Sequence, residues 1–246
     1  MDLKDSVLSE AGEFRDLVTR IYDSWLHGPS DREILGTAIQ PGDQLSEMIQ
    51  GKESYAWYRA LGLVLRPHIH AEIGVRFGYS TYAIADGGKL QPFTAHGWDA
   101  QNYDVQSSPI ARKLGCFADI RDADSQALQT LGMNDTFDTF SVDGDHSEEG
   151  AYHDLELAFE ATKHGGWILV DDVRGLYYPA HPPVTRAVAR FMKIRNQKGF
   201  FLPTYRGLTC IHVDKFAPPP PSATTVFIRR LKKNLPRIFL PTRWSW

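Results

Sequence analysis

The alternation of strand and helix patterns from residue 69 to residue 213 is the feature that most constrains how this chain can fold. Ile69–Ile73 has the pattern of a first strand, and apolar strand-like runs recur at Phe93–Trp98, Phe137–Val142 and Trp167–Val170. Continuous apolar strands are typical of parallel sheets that are buried on both faces. The pattern therefore predicts an α/β fold with a Rossmann-like, doubly wound, mostly parallel seven-stranded sheet.

The other elements of this predicted core are weaker in pattern or lie at its C-terminal end. Further strands are predicted at Cys116–Ile120, Phe200–Leu202 and Leu208–Val213, and helices at Thr81–Ala85, Ile110–Leu114, Glu148–Thr162 and Val184–Ile194. Gly165 and Gly166 are interpreted as the stop signal of the third of these helices. The core domain is placed at residues 67–215.

Two segments flank the core. Residues 1–66 are predicted to form a helical extension, with an amphipathic helix over residues 5–24 and a second over Tyr55–Leu65, which Pro67 ends. Three roles are open for this extension: a lid over the substrate, packing on the sheet, or contact with a second copy of the chain in a homo-oligomer. The sequence pattern does not distinguish between them. Residues 216–246 are interpreted as a proline-rich linker and a basic amphipathic tail.

Charge and composition exclude several classes of protein. The formal net charge is −3, yet the six charged residues after Lys215 are all basic, so the body of the chain is acidic and does not attract nucleic acid. The basic tail suits peripheral contact with an anionic membrane or docking on a protein surface. The acidic N-terminus lacks the apolar segment of a secretory signal, and two cysteines without a CxxC pair favour the cytoplasm.

Glycines and acidic residues follow the first two predicted strands. Gly74 and Gly78 come directly after the first strand, which carries Glu72, and Asp99 ends the second. The Gly-x-x-x-Gly spacing differs from the Gly-x-Gly-x-x-Gly fingerprint that places a helix N-terminus against a pyrophosphate. Two such glycines alone often form only a tight turn, and such an Asp alone is often only a helix cap. Together they indicate a ligand site, and the glycine spacing counts against a dinucleotide as the ligand.

Two further strand ends carry carboxylates. Asp143, Asp145 and His146 follow one strand, and Asp171 and Asp172 follow the next. These ends lie side by side in a parallel sheet, where crowded carboxylates repel each other and call for a cation, such as Mg²⁺. The alternative is that the aspartates cap the helices that follow.

The Glu-x-Gly-x-x-x-Gly-x-Ser-Thr segment, the position of Asp99 and the Val142–Ser147 run resemble the class I methyltransferases that use S-adenosylmethionine (SAM). Within this class the chain is similar to the metal-dependent sugar and macrolide O-methyltransferases, the macrocin and mycinamicin methyltransferase-like and cephalosporin hydroxylase-like group, over roughly residues 68–214. The resemblance implies that SAM is bound by Glu72, Gly74, Gly78, Ser80, Thr81, Asp99, Asp124, Ser125 and Asp143. It assigns Mg²⁺ to Asp143, Asp171 and Asp172.

The resemblance also implies a reaction. We expect a SAM-dependent O-methyltransferase that methylates a hydroxyl of a sugar or glycoside, with Mg²⁺ lowering the pKa of the attacking hydroxyl. His146 is the expected general base, because imidazole titrates near neutral pH, and Asp145 is the rival. The alternatives are a catechol-like acceptor, a metal-independent methyltransferase, a nicotinamide-dependent oxidoreductase and a non-catalytic protein that keeps the SAM-binding fold.

Overall fold

The computed structural model describes residues 2–36, 51–52, 54–88, 93–100, 117–122, 132–173 and 181–218. The helices in these ranges are α1 (Leu3–Ser9), α2 (Arg15–His27), α3 (Asp31–Leu35), α4 (Tyr55–Leu65), α5 (Tyr79–Gly88), α6 (Glu148–Ala161) and α7 (Pro182–Ile194). The strands are β1 (Ile69–Ile73), β2 (Thr94–Asp99), β3 (Phe117–Asp122), β4 (Phe137–Val142), β5 (Thr162–Val170), β6 (Lys198–Leu202) and β7 (Leu208–His212).

These strands form one seven-stranded sheet with the order β3-β2-β1-β4-β5-β7-β6. The five strands from β3 to β5 pair in parallel, whereas β7 is antiparallel to both β5 and β6. The predicted α/β, Rossmann-like fold with a mostly parallel sheet is therefore confirmed. Because β7 runs against β5, the loop between β6 and β7 lies at the same edge of the sheet as the carboxyl ends of the parallel strands.

The N-terminal helices differ in part from the prediction. The helix expected over residues 5–24 is wrong as a single element, because α1 ends at Ser9 and α2 begins only at Arg15. Gly12 lies between them with a φ of 52°, a left-handed conformation that glycine adopts at little cost and that interrupts a right-handed helix. The prediction of α4 is confirmed at both ends, and its last turn closes on Arg66, just before Pro67.

The boundary between α6 and β5 also differs from the prediction. Ser147 caps the start of α6, since its Oγ accepts a hydrogen bond from the Gly150 N–H at 3.1 Å. The helix ends at Ala161, however, and β5 already contains Gly165, with a φ of 83°. The glycine pair therefore serves a strand irregularity, where the register between β4 and β5 shifts, and not a helix C-cap.

Two hydrophobic clusters cover the two faces of the sheet. One contains residues from α1 to α5 packed against the sheet, and the other contains residues of α6 and α7. Trp25 and Trp57 stack at 4.5 Å between ring centroids, and Phe14 meets Trp167 of β5 edge-on at 5.2 Å. Of the roles left open for residues 1–66, packing on the sheet is thus observed, while the domain division at residue 67 stays a prediction.

Several predicted features lie outside the described residues. They are the helix Ile110–Leu114, the SAM contacts Asp124 and Ser125, and the linker and tail beyond Pro218. None of the helices within the described ranges is long and apolar enough to cross a lipid bilayer.

The contact between α4 and α5 depends on the absence of side chains at two glycines. A Cβ atom on Gly62 would lie 2.0 Å from the Ile84 carbonyl oxygen, and one on Gly87 would lie 1.9 Å from that of Arg59. We expect Gly62→Ala to push the helices apart and to lower the free energy of unfolding by about 2 kcal/mol, which is roughly 4–8 °C in melting temperature. Thermal denaturation followed by circular dichroism measures this, and Leu63→Ala, at a more exposed position of the same helix, is the control with the smaller effect.

Candidate functional site

A cleft of about 780 Å³ opens at the carboxyl edge of the sheet. Its walls come from five parts of the chain that are far apart in sequence. They contribute Glu72, Gly74 and Ser80 from β1 and the segment after it, Asp143 after β4, Asp171 after β5, Tyr55 and Tyr58 from α4, and Tyr205 and Arg206 from the β6–β7 loop. This edge is where open α/β sheets bind their ligands.

Gly74 lets three strand ends meet at the floor of the cleft. Its φ is 79°, and a Cβ atom there would lie 1.9 Å from the carbonyl oxygen of Asp143. The Gly74 N–H donates to the Trp98 carbonyl oxygen at 2.8 Å, and the Asp143 N–H donates to that of Ile73 at 3.0 Å. The predicted glycine turn therefore has a specific purpose, because any side chain at residue 74 would separate β1 from the end of β4. Gly78 is also left-handed, with a φ of 74°.

Glu72 is a buried carboxyl group at this turn, with 2% of its surface exposed. The hydroxyls of Ser80 and Thr81 donate to its two oxygens. Burial raises the pKa of Glu72 to about 8, even though both hydroxyls favour its ionised form. Ser80 and Thr81 were predicted as cofactor contacts, and the structure shows them as the partners of Glu72.

Asp99 lies at the end of β2, as predicted. Its Oδ2 accepts a hydrogen bond from the Arg76 N–H at 2.7 Å, which ties the end of β2 to the turn after β1. Asp99 is not among the residues that line the cleft in the described part of the chain. Its role in binding a ribose stays a prediction.

The predicted crowding of carboxylates after β4 and β5 is present. Burial raises the pKa of Asp171 well above its ordinary value, and the neighbouring Asp143 and Asp172 raise it further. Among the described residues, the buried Oδ1 of Asp171 has no hydrogen-bond partner. Desolvation also raises the pKa of Asp143, which His146 opposes. The site therefore stores unfavourable electrostatic energy that a bound cation would relieve.

Two basic side chains compensate part of this charge. His146 Nε2 lies 3.3 Å from Asp143 Oδ1 and 3.1 Å from Asp172 Oδ2, and Arg206 Nη1 lies 3.3 Å from the same oxygen of Asp172. The hydrogen bond to Asp143 is the main cause that raises the pKa of His146. Arg206 was not predicted as a site residue. The signal that could have found it is a basic residue in the loop that the antiparallel β7 brings beside the acidic strand ends.

Asp145 and His146 are neighbours in sequence but occupy different environments. Asp145 is exposed, and its Oδ1 accepts a hydrogen bond from the Ser147 N–H at 2.7 Å, so it helps to begin α6. His146 points to the carboxylates at the rim of the cleft, with 38% of its side chain exposed. Of the two predicted bases, only His146 contacts the acidic group.

His181 joins the same group although it was not predicted as a site residue. It precedes α7, its N–H donates to the Asp172 carbonyl oxygen at 3.3 Å, and its ring lies 4.7 Å from that of His146 between centroids. One ligand atom each from His146, Asp172 and His181 can be chosen so that all three lie within 4.8 Å of one another. No signal in the sequence pointed to this group, because its three residues come from separate segments of the chain.

The part of the chain that includes this site is similar to a known domain. Residues 71–173, which include the turn after β1 and the acidic ends of β4 and β5, match a family model described as a methyltransferase domain. No curated protein matches the chain.

Solved structures share the fold at low sequence identity. The O-methyltransferase TomG from Streptomyces achromogenes, in complex with SAM, is 18% identical with a TM-score of 0.56, and the alignment covers 87% of this chain and 100% of TomG. An O-methyltransferase from Bacillus cereus in complex with SAH is 16% identical with a TM-score of 0.55, covering 86% and 100%. The SAH-bound Podospora anserina methyltransferase PaMTH1 is 17% identical with a TM-score of 0.54, covering 80% and 87%. The predicted resemblance to class I SAM-dependent methyltransferases is thus confirmed.

The raised pKa of Glu72 has a consequence for stability. Between its unfolded value of about 4.3 and its folded value of about 8, the folded state binds more protons than the unfolded state, so stability falls as the pH rises through this window. Glu72→Gln removes this titration. From pH 5 to pH 8.5 we expect the wild type to lose about 1 kcal/mol or more relative to the variant, roughly 2–4 °C in melting temperature.

Thermal melts across this pH range measure the difference. Glu149→Gln, which replaces an exposed glutamate on α6, is the control and should follow the wild-type curve. Parallel curves for the wild type and Glu72→Gln would show that Glu72 is ionised in the folded protein at neutral pH.

Proposed function

We propose that the chain is a SAM-dependent O-methyltransferase. One observation carries the proposal: Glu72 and Gly74, expected on the cofactor side, line the same cleft as Asp143, which holds His146. A methyl donor and an acceptor hydroxyl could therefore meet in one cavity, beside a base. The match of residues 71–173 to a methyltransferase domain supports this proposal.

The cofactor side is argued from charge. SAM carries a positively charged ammonium group, and a buried carboxyl with a raised pKa gains most from such a partner. Glu72 becomes ionised when a cation approaches, and the hydroxyls of Ser80 and Thr81 then stabilise the carboxylate. The tight turn at Gly74 brings the end of β4 against the end of β1, and Gly74 lines the same cleft as Glu72.

The acceptor side is argued from the contacts of His146. When its Nε2–H is donated to Asp143 or Asp172, the lone pair is on Nδ1, which can receive a proton. The acceptor oxygen attacks the methyl carbon in line with the departing sulfur, the S–CH₃ bond breaks to leave S-adenosylhomocysteine, and Nδ1 takes the hydroxyl proton. Asp143 and Asp172 stabilise the imidazolium that forms.

A divalent cation, Mg²⁺, is part of the proposal. The fit rests on the unpartnered, buried Oδ1 of Asp171 and on the carboxylates of Asp143 and Asp171 that face the cleft. Oxygen ligands of this kind suit Mg²⁺, with Asp172 as the third predicted ligand. When bound, the cation would lower the pKa of a chelated hydroxyl. The ion pair of Asp172 with Arg206 leaves this residue the least available of the three.

We propose a sugar or glycoside hydroxyl as acceptor. The support is the pair of partly exposed aromatic side chains at the cleft, Tyr55 and Tyr205, which suit the faces of sugar rings. A catechol-like phenol fits the same walls and remains the second acceptor class, so both belong in an acceptor screen. Peripheral membrane contact of the basic tail, a cytoplasmic location and a homo-oligomer remain proposals from the sequence.

The assignment of the base can be tested directly. We expect His146→Ala to lower kcat by about 10²–10⁴-fold, the usual value of general base catalysis, with SAM affinity unchanged within twofold. The measurement is S-adenosylhomocysteine formation with a panel of glycosides and catechols, together with SAM calorimetry. Asp145→Asn is the matched control and should keep most of its activity. The reverse result, an inactive Asp145→Asn and an active His146→Ala, would move the base to Asp145.

The metal can be tested separately from the cofactor. Removal of divalent ions with EDTA should lower turnover more than tenfold, and added Mg²⁺ should restore it, while SAM binding persists. Asp171→Asn should keep SAM binding and require more Mg²⁺ for the same rate, because one charged ligand is lost. If turnover is insensitive to EDTA, the proposed Mg²⁺ requirement is wrong and the protein is a metal-independent methyltransferase.

A further inference from the structure

Next to Asp143, which lines the cleft, lies a group of metal-ligating side chains that the proposed reaction does not use as a unit. His146 follows β4, Asp172 follows β5, and His181 precedes α7. His146 Nε2 and His181 Nε2 lie 3.1 Å and 3.9 Å from the same atom, Asp172 Oδ2. Two imidazoles thus face one carboxylate oxygen.

The backbone holds two members of this group together. The His181 N–H donates to the Asp172 carbonyl oxygen at 3.3 Å, and Asp172 has a φ of 59°, an uncommon conformation for a residue with a side chain. Asp172 is buried, with 2% of its side chain exposed, whereas both histidines are 38% exposed. An ion could therefore enter from the solvent side and meet a buried carboxylate behind two accessible imidazoles.

The donor set determines which ion fits. Carboxylate and water oxygens suit Mg²⁺, whereas imidazole nitrogen suits zinc, cobalt, nickel and iron. Adjacent ligands of a tetrahedral Zn²⁺ ion lie roughly 3.3 Å apart, given metal–nitrogen bonds of about 2.0–2.1 Å. Since the three ligand atoms already lie within 4.8 Å of one another, rotation of exposed histidine side chains is enough to close the geometry.

We propose that His146, Asp172 and His181 form a binding site for a borderline divalent metal ion such as Zn²⁺ or Co²⁺, which shares Asp172 with the proposed Mg²⁺ position at Asp143 and Asp171. Arg206 Nη1 lies 3.3 Å from Oδ2 and 3.5 Å from Oδ1, so an ion that binds through Oδ2 requires Arg206 to shift towards Oδ1. Water or another small ligand completes the coordination.

This site has a consequence that rests on the proposed function. An ion on His146 Nε2 displaces the proton from that nitrogen, and the ring then carries its proton on Nδ1. Nδ1 can no longer accept the hydroxyl proton, so metal binding and base catalysis exclude each other. Zn²⁺ should therefore inhibit methyl transfer, and excess Mg²⁺ should raise the Zn²⁺ concentration that is needed, because both ions use Asp172.

Metal binding is tested on the full chain without SAM or acceptor. Co²⁺ absorption and Zn²⁺ calorimetry should show one ion per chain in the presence of excess Mg²⁺. His181→Ala should weaken binding at least tenfold, and this variant should fold, because the His181 side chain does not cap α7. His146→Ala should weaken binding in the same way. His164→Ala, which removes a half-exposed histidine beside Asp214, is the control and should bind as the wild type does.

The metal site and the exclusion between metal binding and base catalysis are tested by different outcomes. Absence of Co²⁺ and Zn²⁺ binding, or equal binding by His181→Ala and wild type, would overturn the site whatever reaction the protein performs, leaving Asp172 as an ion pair with Arg206 and His146. If binding is observed, Zn²⁺ should inhibit S-adenosylhomocysteine formation by the wild type at lower concentration than by His181→Ala. Equal inhibition of both would overturn the exclusion between metal and base.

Discussion

The close approach of Gly74 to the backbone of Asp143 is the contact on which the rest of the site depends. It brings the ends of β1 and β4 within hydrogen-bonding distance, with the Asp143 N–H on the Ile73 carbonyl oxygen, while the Gly74 N–H binds the end of β2. Because the turn is left-handed and has no side chain, Glu72 and Asp143 face one cleft. With β1 and β4 held in this register, β5 places its acidic end beside them.

The second constraint is electrostatic. A site that gathers several carboxyl groups at one strand edge is stable only if protons, hydroxyl donors or cations offset their repulsion. The chain uses all three, since Glu72 has a raised pKa and two hydroxyl donors, while Arg206 and His146 lie against Asp172. The Oδ1 atom of Asp171 has no hydrogen-bond partner among the described residues, and a bound cation would offset the charge of this carboxyl group. The proposed cofactor side and acceptor side of the cleft therefore differ in how the charge of their carboxyl groups is offset.

The local sequence pattern was enough to predict the elements whose ends are set by neighbouring proline or glycine residues. Tyr55–Leu65 and Ile69–Ile73 have the predicted ends, because Pro67 stops the helix and glycine follows the strand. The prediction was wrong at two glycines with a left-handed backbone, because the sequence does not show which kind of structure such a glycine interrupts or ends. Gly12 divides a helix that its apolar spacing would have continued, and Gly165 bends a strand where a helix end was expected, since pairing with β4 outweighed the local signal.

The sequence by itself determined the order of strands and helices, the residues after each strand end and hence the class of ligand site, because these follow from periodicity and from the rule that parallel strands end at one edge. Only the tertiary structure decided which of those residues act together. Arg206 reaches Asp172 because β7 is antiparallel, and His181 reaches His146 through the buried carboxylate between them. Such contacts join residues that are remote in the chain, and no local pattern encodes their distance.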